Sequence, residues 1–148
     1  MEYRATVSWQ RTSDTFTYET YNRAHEWAFQ SVTVPASGAP EYRGDPARVN
    51  PEQAFVASLS ACHMLTFLAI CTKRKFSVDA YHDEAIGYLE KNEQGRLAMT
   101  RVILRPQITW SQGVTVSAAD LDKMHHQAHE GCLIANSVKT DVRVEPRP

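Results

Sequence analysis

The sequence lacks a surplus of either charge. Lys and Arg number 16 and Asp and Glu 17, for a net charge of −1. That balance gives no reason to expect a nucleic-acid or an anionic-membrane partner. Low-complexity tracts and internal repeats are absent. The first residues, MEYRATVSWQ, contain no apolar stretch of the kind that makes a secretory signal, so a cytoplasmic location is expected. Cysteines are few, three in all, and in an unexported chain they argue against a disulfide scaffold and for thiol chemistry or plain burial. With 148 residues, 43% hydrophobic and 22% charged, the chain has the size and composition of one globular domain spanning 1–148.

Charge is missing altogether from Gln53 to Thr72. The run is long enough to invite a transmembrane reading. Gln53, Ser58, Ser60, His63 and Thr66 interrupt it, however, and its flanks carry water-soluble patterns. A helix apolar on every face also suits the centre of a core or of an obligate dimer, and that is the expectation here. Asn50 is a good N-cap, Pro51 fits the first helical position and Glu52 the positive end of the helix dipole. The helix is predicted to run to about Lys73.

Before it, Ala5, Val7 and Trp9 alternate with polar residues, Phe16, Tyr18 and Thr20 repeat the pattern, and His25, Trp27 and Phe29 suggest a third strand. VPASGAPEYRGDPARVN then reads as a long loop of the functional or disordered kind. After it, Val78–Glu90 reads as a strand, KNEQGR as a turn, and Val102 to Trp110 as an alternating face. Pro106 argues for an edge or a bulge in that face. Ser117 caps a second helix, with Asp120 at the capping-box position and Leu121, Met124, Ala128, Cys132 and Ala135 at helical spacing. Val142 and Val144 close the chain as a strand. The fold class is α+β, with two helices on a largely antiparallel sheet.

Each helix carries a cysteine expected to face the other helix. Cys71 lies nine residues beyond Cys62, roughly 13 Å along one helix, which excludes a disulfide between them. The separation of Cys62 and Cys132 is left open. Buried inert thiols are common, but polar residues surround these. Arg43 and Arg48 lie in the preceding loop and Glu52 opens the helix. An arginine beside a thiol favours the reactive thiolate, and a carboxylate orients the guanidinium through paired hydrogen bonds. Together they suit peroxide reduction.

NPEQAFVASLSAC, with glutamate ten residues before cysteine, and GCLIANSVKTDVRV near the C-terminus resemble the two motifs of the OsmC/Ohr family of thiol peroxidases. The resemblance extends over essentially the whole chain. It implies an intertwined homodimer with the helices at its centre, and reduction of organic hydroperoxides with an external dithiol reductant and no cofactor. It makes Cys62 the peroxidatic cysteine, Cys132 the resolving one, Glu52 the orienting acid and Arg43 the active-site arginine, with Arg48 as runner-up. Two positions depart from the family pattern. Leu133 stands where proline usually follows the second cysteine, and His63 follows Cys62 where an apolar residue is common.

Glu52 and Cys62 are about 15 Å apart along a straight helix, too far for both to touch one arginine of the same chain. Either the helix starts later, or Glu52 serves a partner's Cys62. Two other readings compete. His125, His129 and Cys132 lie at i, i+4 and i+7, with Cys62 and His63 available to complete a zinc site. Alternatively, the chain is a non-catalytic dimer that binds a small ligand in an apolar interface cavity.

Overall fold

The computed structural model describes all 148 residues. They form eight strands and two α-helices, distributed over two compact units, Met1–Ala54 and Phe55–Pro148.

The first unit is a three-stranded antiparallel sheet in the order β1 (Thr6–Ser8), β2 (His25–Phe29), β3 (Val32–Ala36). β2 and β3 form a tight hairpin that pairs Phe29 with Val32, and Gln30 at its turn takes φ 50°. The predicted strand at Phe16–Thr20 is instead a turn. Here side chains compete successfully for the backbone. Thr20 Oγ1 accepts from the Thr17 N–H and donates to the Thr15 carbonyl, while the Asn22 amide binds the Thr12 N–H and the Gln10 carbonyl. Trp9, Phe16 and Tyr21 meet tilted and edge-on in one cluster, and Arg23 lies over the Tyr21 ring at 3.6 Å.

The sequence region expected to be a loop begins as β3 and is ordered beyond it. Ser37 N–H donates to the Val49 carbonyl and Val49 N–H to the Pro35 carbonyl, which returns the chain alongside β3. The crossing inside this loop needs glycine: a Cβ on Gly44 would lie 1.6 Å from the Gly38 carbonyl oxygen. No rotamer relieves a backbone clash of that size.

The helix α1 (Pro51–Arg74) starts where predicted. Asn50 Oδ1 accepts from the Gln53 N–H, and Gln53 Oε1 accepts from the Asn50 N–H. This reciprocal capping box satisfies two donors that a helix start would otherwise orphan.

In the second unit α1 buries Leu59, His63, Phe67 and Cys71, one residue in four along a single stripe. The chain holds three sheets where one was expected, two of them in this unit. β4 (Val78–Asp83) pairs antiparallel with β7 (Pro106–Trp110), and β5 (Ile86–Lys91) pairs antiparallel with β6 (Leu97–Leu104). β8 (Asp141–Val144) runs parallel to β6 on its other side. The stretches read as single strands break at Glu84–Ala85 and at Arg105. Pro106 opens β7, a position where its missing N–H removes no ladder bond, and Asp83 Oδ1 accepts the Arg105 N–H at the break.

The second helix, α2 (Ala118–Gly131), is capped by Ser117, whose hydroxyl accepts from the Asp120 N–H at 3.1 Å. It ends one residue before Cys132, so Cys132 and Ala135 are not on a helical stripe as predicted. Cys132 is the C-cap and Ala135 begins a short 3-10 turn, Ala135–Ser137.

Two apolar clusters result. Phe67, Cys71, Met124 and Ala128 gather Tyr81, Ile108 and Trp110 around them. Leu59, Val102 and Leu104 gather Val56, Val142 and Val144. The remaining faces of α1 stay uncovered in the chain. The helix is long and apolar enough to cross a bilayer, yet only 22% of its apolar window is buried.

Candidate thiol site

The antiparallel packing of α1 and α2 sets Cys62, midway along α1, near Cys132, the C-cap of α2. At one end of the pair, Arg74 of α1 donates to Asp120 of α2 at 2.5 Å. Midway, Phe67 stacks on His125 with centroids 4.3 Å apart. At the other end Gly131 allows close approach: a Cβ there would lie 3.2 Å from Thr66 Cγ2. Beyond Gly131 the chain leaves the helix, and Cys132 lies near enough for Cys62 to perturb its thiol.

All three cysteines are free thiols. Their surroundings differ. Cys132 is 1% exposed, and burial raises its thiol above the ordinary value. The Cys132 thiol acting as donor toward Cys62 and charge repulsion from Cys62 push the same way, against the backbone N–H of Ala135, which donates to Cys132 Sγ at 3.4 Å. Cys132 is therefore held as a thiol at neutral pH. Cys62 is half-buried and one residue off the buried stripe of α1, so it is the more accessible of the two. Cys71 lies in the first apolar cluster, its thiol raised by burial and partly offset by Arg74.

Of the other residues singled out in the sequence, Glu52 stands on the first turn of α1, partly buried, with Oε2 shielded from water and lacking a hydrogen-bond partner. The helix is continuous from Pro51, so it does not start later than predicted. The rise of about 15 Å between Glu52 and Cys62 stands. Arg43 caps the 3-10 turn Pro40–Tyr42 in the left-handed region at φ 63°, with an exposed side chain. Arg48 is half-buried, donates to the His25 carbonyl at 3.3 Å and pairs with Asp45 at 3.7 Å. Arg48 is thus already engaged, whereas Arg43 makes no ion pair in its unit.

The zinc arrangement does not form. Cys132 is off the helix, which removes the i+7 geometry, and no three His, Cys, Asp or Glu side chains converge as a metal group. His125 Nδ1 instead shares a 3.0 Å hydrogen bond with His63 Nε2. Both rings are buried, and burial is the main reason both pKa values fall to about 4. His129 adds to the lowering at His63 and Asp83 opposes it, while His63 adds to the lowering at His125. The rings are therefore neutral at pH 7. Sequence reading grouped the two histidines only as possible zinc ligands, not as hydrogen-bonded rings on different helices. The signal was available only by aligning antiparallel helices through their cysteines.

A family model of OsmC-like proteins matches residues 44–147. Among solved structures, an OsmC-like protein of unknown function from Vibrio cholerae is 44% identical, with a TM-score of 0.95 over 99% of both chains. An organic hydroperoxide resistance protein from Legionella pneumophila, 19% identical, superposes with a TM-score of 0.70 over 99% of this chain and 98% of its own. The organic hydroperoxide resistance protein OhrB of Bacillus subtilis, also 19% identical, gives 0.68 over 98% of each. At those identities the last two speak for the fold alone. A search of curated proteins gives no match.

Proposed function

The chain belongs to the OsmC-like family, and from that premise we propose that it is a thiol peroxidase that reduces organic hydroperoxides. The observation that carries this reading is the interaction of a half-buried Cys62 with a buried Cys132, both free thiols. The difference in environment divides the labour. The Cys62 thiolate attacks one peroxide oxygen, the O–O bond breaks, and the departing alkoxide takes up a proton to leave as alcohol. Cys62 is then a sulfenic acid. Cys132, held as a thiol, does not compete for peroxide, because the thiolate is the nucleophile. Once the sulfenic acid forms, Cys132 sulfur attacks Cys62 sulfur, the S–O bond breaks, and hydroxide leaves with the Cys132 proton as water. An external dithiol returns both cysteines to thiols by two exchanges.

In this proposal Arg43 stabilises the Cys62 thiolate and Glu52 orients Arg43. The helical separation of Glu52 from Cys62 favours a site completed by two chains, and so a homodimer. The uncovered apolar faces of α1 support the same conclusion.

The test is peroxide consumption with dithiothreitol as reductant, comparing cumene hydroperoxide with hydrogen peroxide. The expected result is turnover that prefers the organic substrate, lost in Cys62→Ser. In Cys132→Ser one equivalent of peroxide is consumed, a sulfenic acid is trapped at Cys62, and turnover stops. No loss of free thiol on adding either peroxide would leave a ligand-binding role in place of catalysis.

A further inference from the structure

The His63–His125 pair is the one buried polar contact between α1 and α2 that the thiol chemistry leaves unused. The rings are 1% and 4% exposed, they lie 11° from coplanar, and His125 is clasped against Phe67. His63 Nδ1 and His125 Nε2 find no hydrogen-bond partner. Burying unmet imidazole nitrogens carries a desolvation cost that two apolar side chains of similar volume would avoid. What the polar pair supplies is geometry. An apolar contact tolerates sliding, whereas a 3.0 Å ring-to-ring hydrogen bond, one imidazole donating and the other accepting, fixes both distance and angle.

That constraint acts where it matters. His63 is the residue after Cys62, and His125 is on the helix whose end delivers Cys132. A disulfide requires Cα atoms within a window of about 4.4 to 6.8 Å, so a shift of α1 against α2 by a couple of ångströms removes it. The hydrogen bond to Cys132 sulfur comes from Ala135, not from either ring, so the histidines do not act on the sulfur directly.

We propose that His63 and His125 are positioning residues for the Cys62–Cys132 pair, their mutual hydrogen bond holding α1 and α2 at the separation that disulfide closure requires. The neutrality of both rings at pH 7 keeps the clamp free of like-charge repulsion. The inference rests on the thiol-pair reading above, but its test needs no peroxide.

The experiment uses the full chain carrying Cys71→Ser, so that only Cys62 and Cys132 can pair, and diamide as oxidant. Two thiols give up two electrons and two protons, diamide takes both to become the hydrazine, and the S–S bond forms. Closure is followed by the rate of thiol loss, and the equilibrium by titration in glutathione redox buffers. His63→Phe keeps a ring and removes the bond. It is expected to slow closure at least tenfold and to shift the equilibrium toward dithiol by a similar factor. His63→Gln, whose amide reaches the position of Nε2, is expected to recover the rate to within threefold of the parent. Met124→Ala loosens the same helix contact without touching the bond, and is expected to lower Tm while slowing closure less than threefold.

Closure at the parent rate in His63→Phe overturns the proposal. So does a Gln variant no faster than Phe, a Met124→Ala variant as slow as His63→Phe, or a parent chain that forms no Cys62–Cys132 disulfide. Should His63→Phe not fold, His63→Asn, whose amide stops short of His125, takes its place with the same expectation. Normal diamide closure without peroxide turnover would overturn the peroxidase reading and leave the clamp standing.

Discussion

Burial assigns the three cysteines different reactivities. Cys71 and Cys132 are 2% and 1% exposed and their thiols are raised, so alkylating reagents meet them slowly at pH 7. Iodoacetamide followed by peptide mass spectrometry is expected to label Cys62 first, and Cys71 and Cys132 only on unfolding. Cys71→Ser is expected to keep most peroxide turnover, since the residue sits about two and a half helical turns from Cys62. Equal loss in Cys62→Ser and Cys71→Ser would misassign the nucleophile.

The histidines make a second prediction at this scale. Their folded pKa values of about 4 lie below the unfolded value of 6.5. Above pH 6.5 both states are neutral and contribute nothing. Between 6.5 and 4 the unfolded chain binds protons that the native chain refuses, so stability falls as pH falls, by on the order of a few kcal/mol for the pair, and levels off below 4. Urea titrations at pH 7 and pH 4.5 should therefore show a smaller loss in His63→Phe than in the parent. An equal loss would mean that the rings are not held neutral.

At the scale of elements, what could be read in the sequence was what local chemistry decides. Asn50, Pro51 and the charge-free run after them marked α1 within a residue at each end, because caps and periodicity are properties of a few neighbours. Ser117 and Asp120 marked the start of α2 in the same way. Asn50→Ala is expected to cost about 1 kcal/mol of stability, measured by urea unfolding, since the capping box loses one of its two bonds. Gly44→Ala is expected to cost more, because the clash is with backbone. The misses have non-local causes. Phe16–Thr20 alternates like a strand but folds as a turn, because the Thr20 hydroxyl captures the backbone at Thr15 and Thr17 and the Asn22 amide ties down the preceding Gln10 and Thr12. The residues from Val78 to Trp110 divide into four strands because Asp83 accepts the Arg105 N–H across the sheet, a pairing that no local pattern announces. Cys132 was read as helical because apolar spacing continues past Gly131, although the backbone does not.

At the scale of the molecule, the motifs carried the family more directly than they carried the site. The two cysteines were legible as candidates, but their meeting depends on the antiparallel register of α1 and α2. Arg43 and Glu52 remain assignments by resemblance. The exposed side of α1 is a pattern of small and apolar residues with Leu65, 63% exposed, at its middle. Leu65→Glu is expected to convert the proposed homodimer to monomer in sedimentation at micromolar concentration. A stable monomer in the parent chain would sink the two-chain site. The parallel pairing of β8 with β6 has a further consequence, in time rather than space. β6 is synthesised some forty residues before its partner, and the connection between them contains β7, α2 and Cys132. Closing so long a loop is an entropically late event. The folding chain is therefore expected to pass through a period in which Cys62 is already on a helix but Cys132 is still exposed. In refolding experiments pulse labelling should find Cys132 open until β8 docks, so Cys132 is expected to be the last part of the candidate site to become protected.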